Sequence, residues 1–154
     1  MSFTSNEQSG NEPRRKPGMS IYEKLKNMKI VLIEDDPWIQ NGLRMYFRYH
    51  GCVLESFENG AAAVDALTKD RADIIICDYW LPDLDGLTLL RKVRPYQQDT
   101  VTILITAYPS DGLREEAIRM GVRDFIPKPL TIQKLEASLE ALIKDPAARE
   151  DNAD

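Results

Sequence analysis

The sequence predicts an α/β fold, a single doubly wound parallel sheet of five strands in the order 2-1-3-4-5. Three observations lead there. Short runs of β-branched and other apolar residues alternate five times with segments of helical periodicity, the pattern of a parallel sheet covered by helices on both faces through right-handed crossovers. The runs at 29–33, 74–77 and 100–105 read as buried strands. Each run ends on polar residues: Glu34-Asp35-Asp36, Asp78, Thr106 and, after 124–127, Lys128 between two prolines. In open α/β sheets the carboxyl edge is where chemistry collects.

In chain order, residues 1–18 are rich in Ser, Asn, Glu, Gln, Pro and Arg and are expected to be disordered, with Arg14-Arg15-Lys16 a solvated basic cluster. Ile21, Leu25 and Met28 recur at helical spacing and allow a short lead-in helix. The expected organisation is an extension at 1–28, a folded domain at 29–144 and a polar tail at 145–154. After the first strand, Asp36 followed by Pro37 reads as an N-cap with proline at the first helical position, which leaves Glu34 and Asp35 as the acid pair at the strand end. Ile39, Leu43 and Phe47 make one helix face that ends at Gly51, with His50 expected as an exposed helix-end residue. The second strand is expected at 53–57, and Glu58-Asn59-Gly60 turns into a helix with Ala61, Val64 and Leu67 inward. The third strand reaches Asp78, where Pro82 and Gly86 prevent its continuation. A helix at 87–94 uses Leu87, Leu90 and Val93 and is stopped by Pro95. The Thr106 strand follows, then Leu113, Ala117 and Met120 on a helix capped by Gly121. The Lys128 strand precedes Thr131 as N-cap and a last helix with Ile132, Leu135, Leu139 and Ile143 inward. The polar start and tail lead us to expect a complete single-domain protein with no output domain following.

At 154 residues the chain suits one domain, and its 43% hydrophobic and 29% charged content describes a soluble globular protein. A net charge of −5 argues against a direct nucleic-acid surface. There is no export signal and no apolar run long enough to span a bilayer, so a cytoplasmic protein without membrane partners is expected. Cys52 and Cys77 lack the spacing of a metal knuckle or redox pair and read as buried thiols. Gly86 and Gly112 lie too far into their loops to form a phosphate-cradling fingerprint.

An apolar run ending in one Asp is often only a strand followed by a helix cap; here the constellation carries the signal. Glu34, Asp35 and Asp78 at one edge repel one another unless a cation intervenes, and their hard oxygens suit Mg²⁺. A metal there would hold a phosphoryl oxygen beside Asp78, leaving the other oxygens for a point charge and a hydroxyl donor, the types of Lys128 and Thr106. Phosphoryl transfer needs this kind of positioning and charge neutralisation more than covalent help.

Leu-Ile-Glu-Asp-Asp at 32–36, Asp-Tyr-Trp-Leu-Pro-Asp-Leu-Asp-Gly at 78–86, Ile-Thr-Ala at 105–107 and Lys-Pro-Leu at 128–130 together resemble the receiver domains of two-component response regulators, in the stand-alone form of chemotaxis regulators. The resemblance covers 29–144 and implies the flavodoxin-like fold. It implies that Asp78 accepts a phosphoryl group from a phosphohistidine on a sensor histidine kinase or phosphotransfer protein, or from a small phosphodonor. Asp35, Asp78 and the Trp80 main-chain carbonyl would hold Mg²⁺ directly and Glu34 mainly through water, while Thr106, the Ala107 amide and Lys128 would hold the phosphoryl oxygens. It further implies a cis Lys128–Pro129 bond and a switch in which Thr106 moves to the phosphoryl group and Phe125 turns inward, changing the partners of the surface around the fifth strand. Phe125 equally reads as a plain core residue.

Two positions flanking the acyl phosphate, Trp80 and Tyr108, are large and would screen it from water, giving slow self-dephosphorylation; the alternative is that both rings lie on the surface and affect partner choice. Trp38 stands on the first-helix surface that phosphodonors engage in this family, as an anchor or as a scattered surface apolar residue. The expected function is a phosphorylatable signalling switch or phosphorelay intermediate whose only reactions are its own phosphorylation and dephosphorylation. Competing readings are a phosphorylation-independent adaptor, a fragment of a hybrid kinase or transcription factor, and a hydrolase of the haloacid dehalogenase type. The last is disfavoured because Tyr79-Trp80-Leu81-Pro82 follows Asp78 where those enzymes carry Asp-x-Asp-x-Thr. The kinase, the downstream target and dimerisation through the last helix are left open.

Overall fold

The computed structural model describes residues 20–143. Five strands, β1 (Ile30–Ile33), β2 (Leu54–Phe57), β3 (Ile74–Asp78), β4 (Val101–Thr106) and β5 (Asp124–Pro127), form one parallel sheet in the order β2-β1-β3-β4-β5. Because successive side chains of a strand face opposite ways, the pleat divides the core in two. Ile30, Leu32, Ile74, Ile76, Ile103, Ile105 and Ile126 pack under α1 (Ile21–Leu25), α2 (Pro37–Tyr49) and α6 (Ile132–Leu142). Val31, Ile33, Ile75, Cys77, Leu104 and Phe125 pack under α3 (Gly60–Leu67), α4 (Gly86–Val93) and α5 (Asp111–Arg119). Both cysteines are buried free thiols. No helix among the described residues is long and apolar enough to cross a membrane.

The helix starts follow local chemistry. Ser20, Asp36, Asn59, Asp85, Ser110 and Thr131 each accept a hydrogen bond from a first-turn backbone N–H through their side chains, contacts that contribute on the order of 1 kcal/mol apiece. Gly51 and Gly121 adopt left-handed φ values of 79° and 87° just beyond α2 and α5, where a Cβ would be strained. The Lys128–Pro129 bond is cis.

Several expectations shift. The lead-in helix α1 packs on the domain, with Ile21 and Leu25 buried against the first core. The expected disorder at 1–18 and the polar tail at 145–154 lie outside the described residues. On α3 the inward residues are Gly60, Ala63 and Leu67, with Val64 half-buried and Ala61 exposed. Leu84 packs directly over Gly60 and sets that phase. The α4 helix begins at Gly86 and continues into a 3-10 turn, Arg94–Tyr96, that takes Pro95 inside it. His50 is half-buried and not simply exposed: its ring stacks on Tyr22 at 3.8 Å and meets Tyr46 edge-on at 4.8 Å. The two tyrosine hydroxyls both donate to Glu136 Oε1, so α1 is clasped to α2 and α6.

At the end of β3 the chain turns so tightly that a Cβ on Gly86 would lie 2.6 Å from the Asp78 carbonyl oxygen, which is backbone and cannot yield cheaply. By contrast, Gly42 in the middle of α2 has nothing within 4 Å of such an atom. In urea denaturation, Gly86→Ala is expected to lose about 1–3 kcal/mol of stability. Gly42→Ala is expected to gain about 0.5–1 kcal/mol.

Candidate functional site

The strand register brings the polar strand ends together. Ile33 pairs with Cys77, Asp78 with Ile105 and Thr106 with Pro127, so Glu34, Asp78, Thr106 and Lys128 all fall within one residue of a single line across the carboxyl edge of the sheet. Glu34 and Asp78 are each 2% exposed and Thr106 is fully buried, whereas Asp35 faces solvent. One carboxylate oxygen from each of Glu34, Asp35 and Asp78 lies within 4.8 Å of the others.

Every buried charge here has partners. Asp78 Oδ2 accepts from Lys128 Nζ at 2.7 Å, and Oδ1 accepts from the Trp80 N–H at 3.1 Å. Glu34 Oε2 lies 3.5 Å from the same ammonium, and Oε1 accepts from the Asp36 N–H at 3.2 Å. The Glu34 backbone is tied as well, its N–H donating to the Phe57 carbonyl at 3.0 Å and its carbonyl accepting from Gln40 Nε2. Lys128 is steered into the cluster by its own N–H, which donates to the Thr106 carbonyl at 2.7 Å. The Thr106 hydroxyl accepts from the Tyr108 N–H at 3.2 Å, which leaves its own proton to donate.

The electrostatics follow from that packing. Burial and the neighbouring Asp78 charge push the Glu34 carboxyl up to about 7, against the opposing pull of Lys128 and the Asp36 N–H. Burial works against the Lys128 ammonium, but the hydrogen bond to Asp78 and the Glu34 and Asp78 charges outweigh it and hold the lysine above its usual range. Burial, reinforced by Asp78 and Glu34, pushes the Cys77 thiol far up and makes it a poor nucleophile.

Three acids beside one lysine are short of positive charge, and hard oxygen ligands can hold a small divalent cation. Mg²⁺ binds oxygen at 2.0–2.1 Å, so two direct ligands lie at most about 4.2 Å apart. One oxygen from each of Glu34, Asp35 and Asp78 within 4.8 Å of the others is a donor set that suits such an ion. Beyond it, Lys128 and Thr106 can engage a tetrahedral oxyanion seated next to Asp78.

Of the remaining positions singled out in the sequence, Ala107 is exposed directly beyond β4, and Trp80 and Tyr108 are 58% and 76% exposed, with the Trp80 ring edge-on to Tyr79. Phe125 is only 9% exposed, and the Arg114 guanidinium lies 5.3 Å from its ring centroid, so in this state it is a core residue. Trp38, 87% exposed, borders a groove of about 280 Å³ with Ile39, Tyr46, Leu130 and Ile132. A larger cavity of about 720 Å³ between α2 and β2 is lined by Arg44, Met45, Arg48 and Val53 and holds none of the strand-end groups. Sequence reasoning overlooked Gln40 and Asp83. Asp83 accepts from the Gly60 and Ala61 N–H groups of α3 at 2.7 and 2.8 Å, a contact that no local spacing signals because its partners are more than twenty residues away.

Comparison with known proteins gives a consistent picture. The "Response regulator MprA" of Mycobacterium avium is 31% identical over 76% of this chain and 51% of its own length. The "Transcriptional regulatory protein QseB" of Haemophilus influenzae is 35% identical over 76% of this chain and 53% of its own. The chain thus spans about half the length of these curated relatives. Among solved structures, the receiver domain of sensor histidine kinase PA1611 from Pseudomonas aeruginosa, described with a magnesium ion coordinated in its active site cleft, superposes with a TM-score of 0.64. It is 30% identical, over 75% of this chain and 96% of that one. The family model described as "Response regulator receiver domain" matches residues 30–140, and the chain belongs to that family.

Proposed function

We propose that the protein is a Mg²⁺-dependent phosphoacceptor in two-component signalling, taking a phosphoryl group on Asp78. The observation that carries this reading is the Asp78 carboxylate itself, buried at a strand end, with one oxygen on Lys128 and two further acids alongside. In the transfer, an Asp78 oxygen forms a bond to phosphorus as the donor's N–P bond breaks, and the leaving imidazole keeps the electron pair. Asp35, Asp78 and the Trp80 carbonyl would hold Mg²⁺ directly, with Glu34 acting through water; the ion supplies charge neutralisation on the phosphoryl oxygens. Lys128 exchanges its Asp78 contact for a phosphoryl oxygen, and the Thr106 hydroxyl and the Ala107 amide donate to the others. Thr106 and Phe125 form the switch through which occupancy reaches the surface around β5. The protein turns over no external substrate; it undergoes self-phosphorylation and self-dephosphorylation.

The donor would be a sensor histidine kinase or a histidine phosphotransfer protein, acting in the cytoplasm. Its histidine-bearing helix fits the apolar groove beside Trp38, whose walls come from α2 and from Leu130 and Ile132, immediately after the segment carrying Lys128. An exposed tryptophan beside a small apolar groove has the character of a binding anchor.

Tryptophan fluorescence tests the reading, since Trp80 adjoins Asp78 and Trp38 follows the acid pair. A saturable response to Mg²⁺ and a further change on adding beryllofluoride, the latter lost in Asp78→Asn, is the expected result; a folded wild type silent to both would overturn it. The raised Glu34 carboxyl gives a second expectation. Below about pH 4.5 Glu34 is protonated in folded and unfolded states alike, and as pH rises through about 7 the folded state must ionise it against burial, so stability is lost across that window. Without Mg²⁺, Glu34→Gln is therefore expected to melt above the wild type at pH 8 and level with it near pH 4.5. Finally, replacing Trp80 and Tyr108 together by small polar residues should shorten the acyl-phosphate lifetime several-fold in a phosphate-release assay.

A further inference from the structure

We propose that Asp83 is a positioning residue for the metal, holding the loop that carries the Trp80 carbonyl against α3; the inference rests on the phosphoacceptor reading above. The loop leaves β3 after Asp78 and returns as α4. Its two ends are fixed to each other: the Gly86 N–H donates to the Tyr79 carbonyl at 2.7 Å, Trp80 bridges to Asp85, and Asp85 caps α4 through the Thr88 N–H at 2.8 Å. The stretch between is held from outside by α3. Asp83 Oδ1 accepts from the Gly60 N–H at 2.7 Å and Oδ2 from the Ala61 N–H at 2.8 Å. Leu84 fills the space above Gly60, where a Cβ would come within 1.9 Å of Leu84 Cδ2. The glycine hydrogen and the carboxylate thus form a matched latch, with the carboxyl held below its usual range chiefly by the Gly60 N–H.

The latch closes a circuit around the acids. Asn59, next to Gly60, caps α3 through the Ala62 N–H at 2.8 Å, and two residues earlier the Phe57 carbonyl accepts from the Glu34 N–H at 3.0 Å. Glu34, α3, the Asp83 loop and Asp78 are therefore linked in sequence, the last through the Trp80 N–H on Asp78 Oδ1 at 3.1 Å. Releasing Asp83 frees the Trp80 carbonyl to drift relative to Glu34 and Asp35. Mg²⁺ accepts little drift because it demands near-ideal octahedral geometry at short range, whereas Ca²⁺ tolerates longer and less regular ligation. Contacts that orient ligands are commonly worth on the order of 10–100-fold in metal affinity.

The test is a pair of fluorescence titrations, with Mg²⁺ and with Ca²⁺, on wild type, Asp83→Ala and Asp83→Asn, alongside labelling by acetyl phosphate. Ile30→Val, which removes one methyl group at the opposite end of β1, controls for general loss of stability. The expected result is Mg²⁺ affinity weakened on the order of 10-fold in Asp83→Ala, an intermediate loss in Asp83→Asn, which keeps one acceptor oxygen, a lowered preference for Mg²⁺ over Ca²⁺, and an unchanged preference in Ile30→Val. If Asp83→Ala does not fold, the fall in preference in Asp83→Asn decides. Wild-type affinity and preference in a folded Asp83 variant, or an equal change in Ile30→Val, overturns the inference while leaving the phosphoacceptor reading intact. A wild type that binds neither ion overturns both.

Discussion

Two carboxylates that are almost wholly buried share one lysine, and much of the surrounding structure is arranged to make that tolerable. Removing ionised groups from water is unfavourable by several kcal/mol each unless they are paired and hydrogen-bonded. The pairing comes from Lys128 and the hydrogen bonds from the Trp80 and Asp36 N–H groups, so three separate loops answer to one electrostatic demand. The compensation is incomplete, and the Glu34 carboxyl shows it by holding its proton well above the usual carboxylate range. A site left short of positive charge is primed for a cation.

The sheet supplies the precision this demand needs. Parallel strands in register end on one line, and both faces of the sheet are closed by apolar side chains, so the strand ends have little freedom to move apart. Asp78 and Thr106 are the last residues of their strands and Glu34, Asp35 and Lys128 lie directly beyond theirs, and the short connections that follow are fixed by caps and by backbone contacts such as Gly86 to Tyr79. Apolar scaffold and the polar residues that close each strand are thus distinct stretches of the sequence, which is why the runs and the residues that end them could be read independently.

That separation also explains what the sequence disclosed and what it withheld. The strand order, the caps at Asp36 and Thr131 and the meeting of Glu34, Asp35, Asp78, Thr106 and Lys128 follow from local patterns plus one topological rule. The phase of α3 did not, because Gly-Ala-Ala-Ala has no apolar contrast from which to read a face; Leu84, from a distant loop, selects it. His50 looked like an ordinary helix end because its stacking partner, Tyr22, is nearly thirty residues away on a helix of only five residues. The Glu136 clasp spans more than a hundred residues of chain, beyond the reach of any periodicity. Phe125 packs on the same face of the sheet as Leu104, and one chain's pattern cannot separate a fixed ring from one that moves.

The clasp bears on where this domain begins. The family match opens at residue 30, yet α1 inserts Ile21 and Leu25 into the same core as Leu135, Leu139 and Ile143 and ties Tyr22 to both α2 and α6. A chain trimmed to the recognised boundary would strip the lid from that core and leave Glu136 and Tyr46 without the Tyr22 hydroxyl they share. Residues ahead of the family match are therefore part of the packed core among the described residues, and α1 acts there as a gasket between α2 and α6.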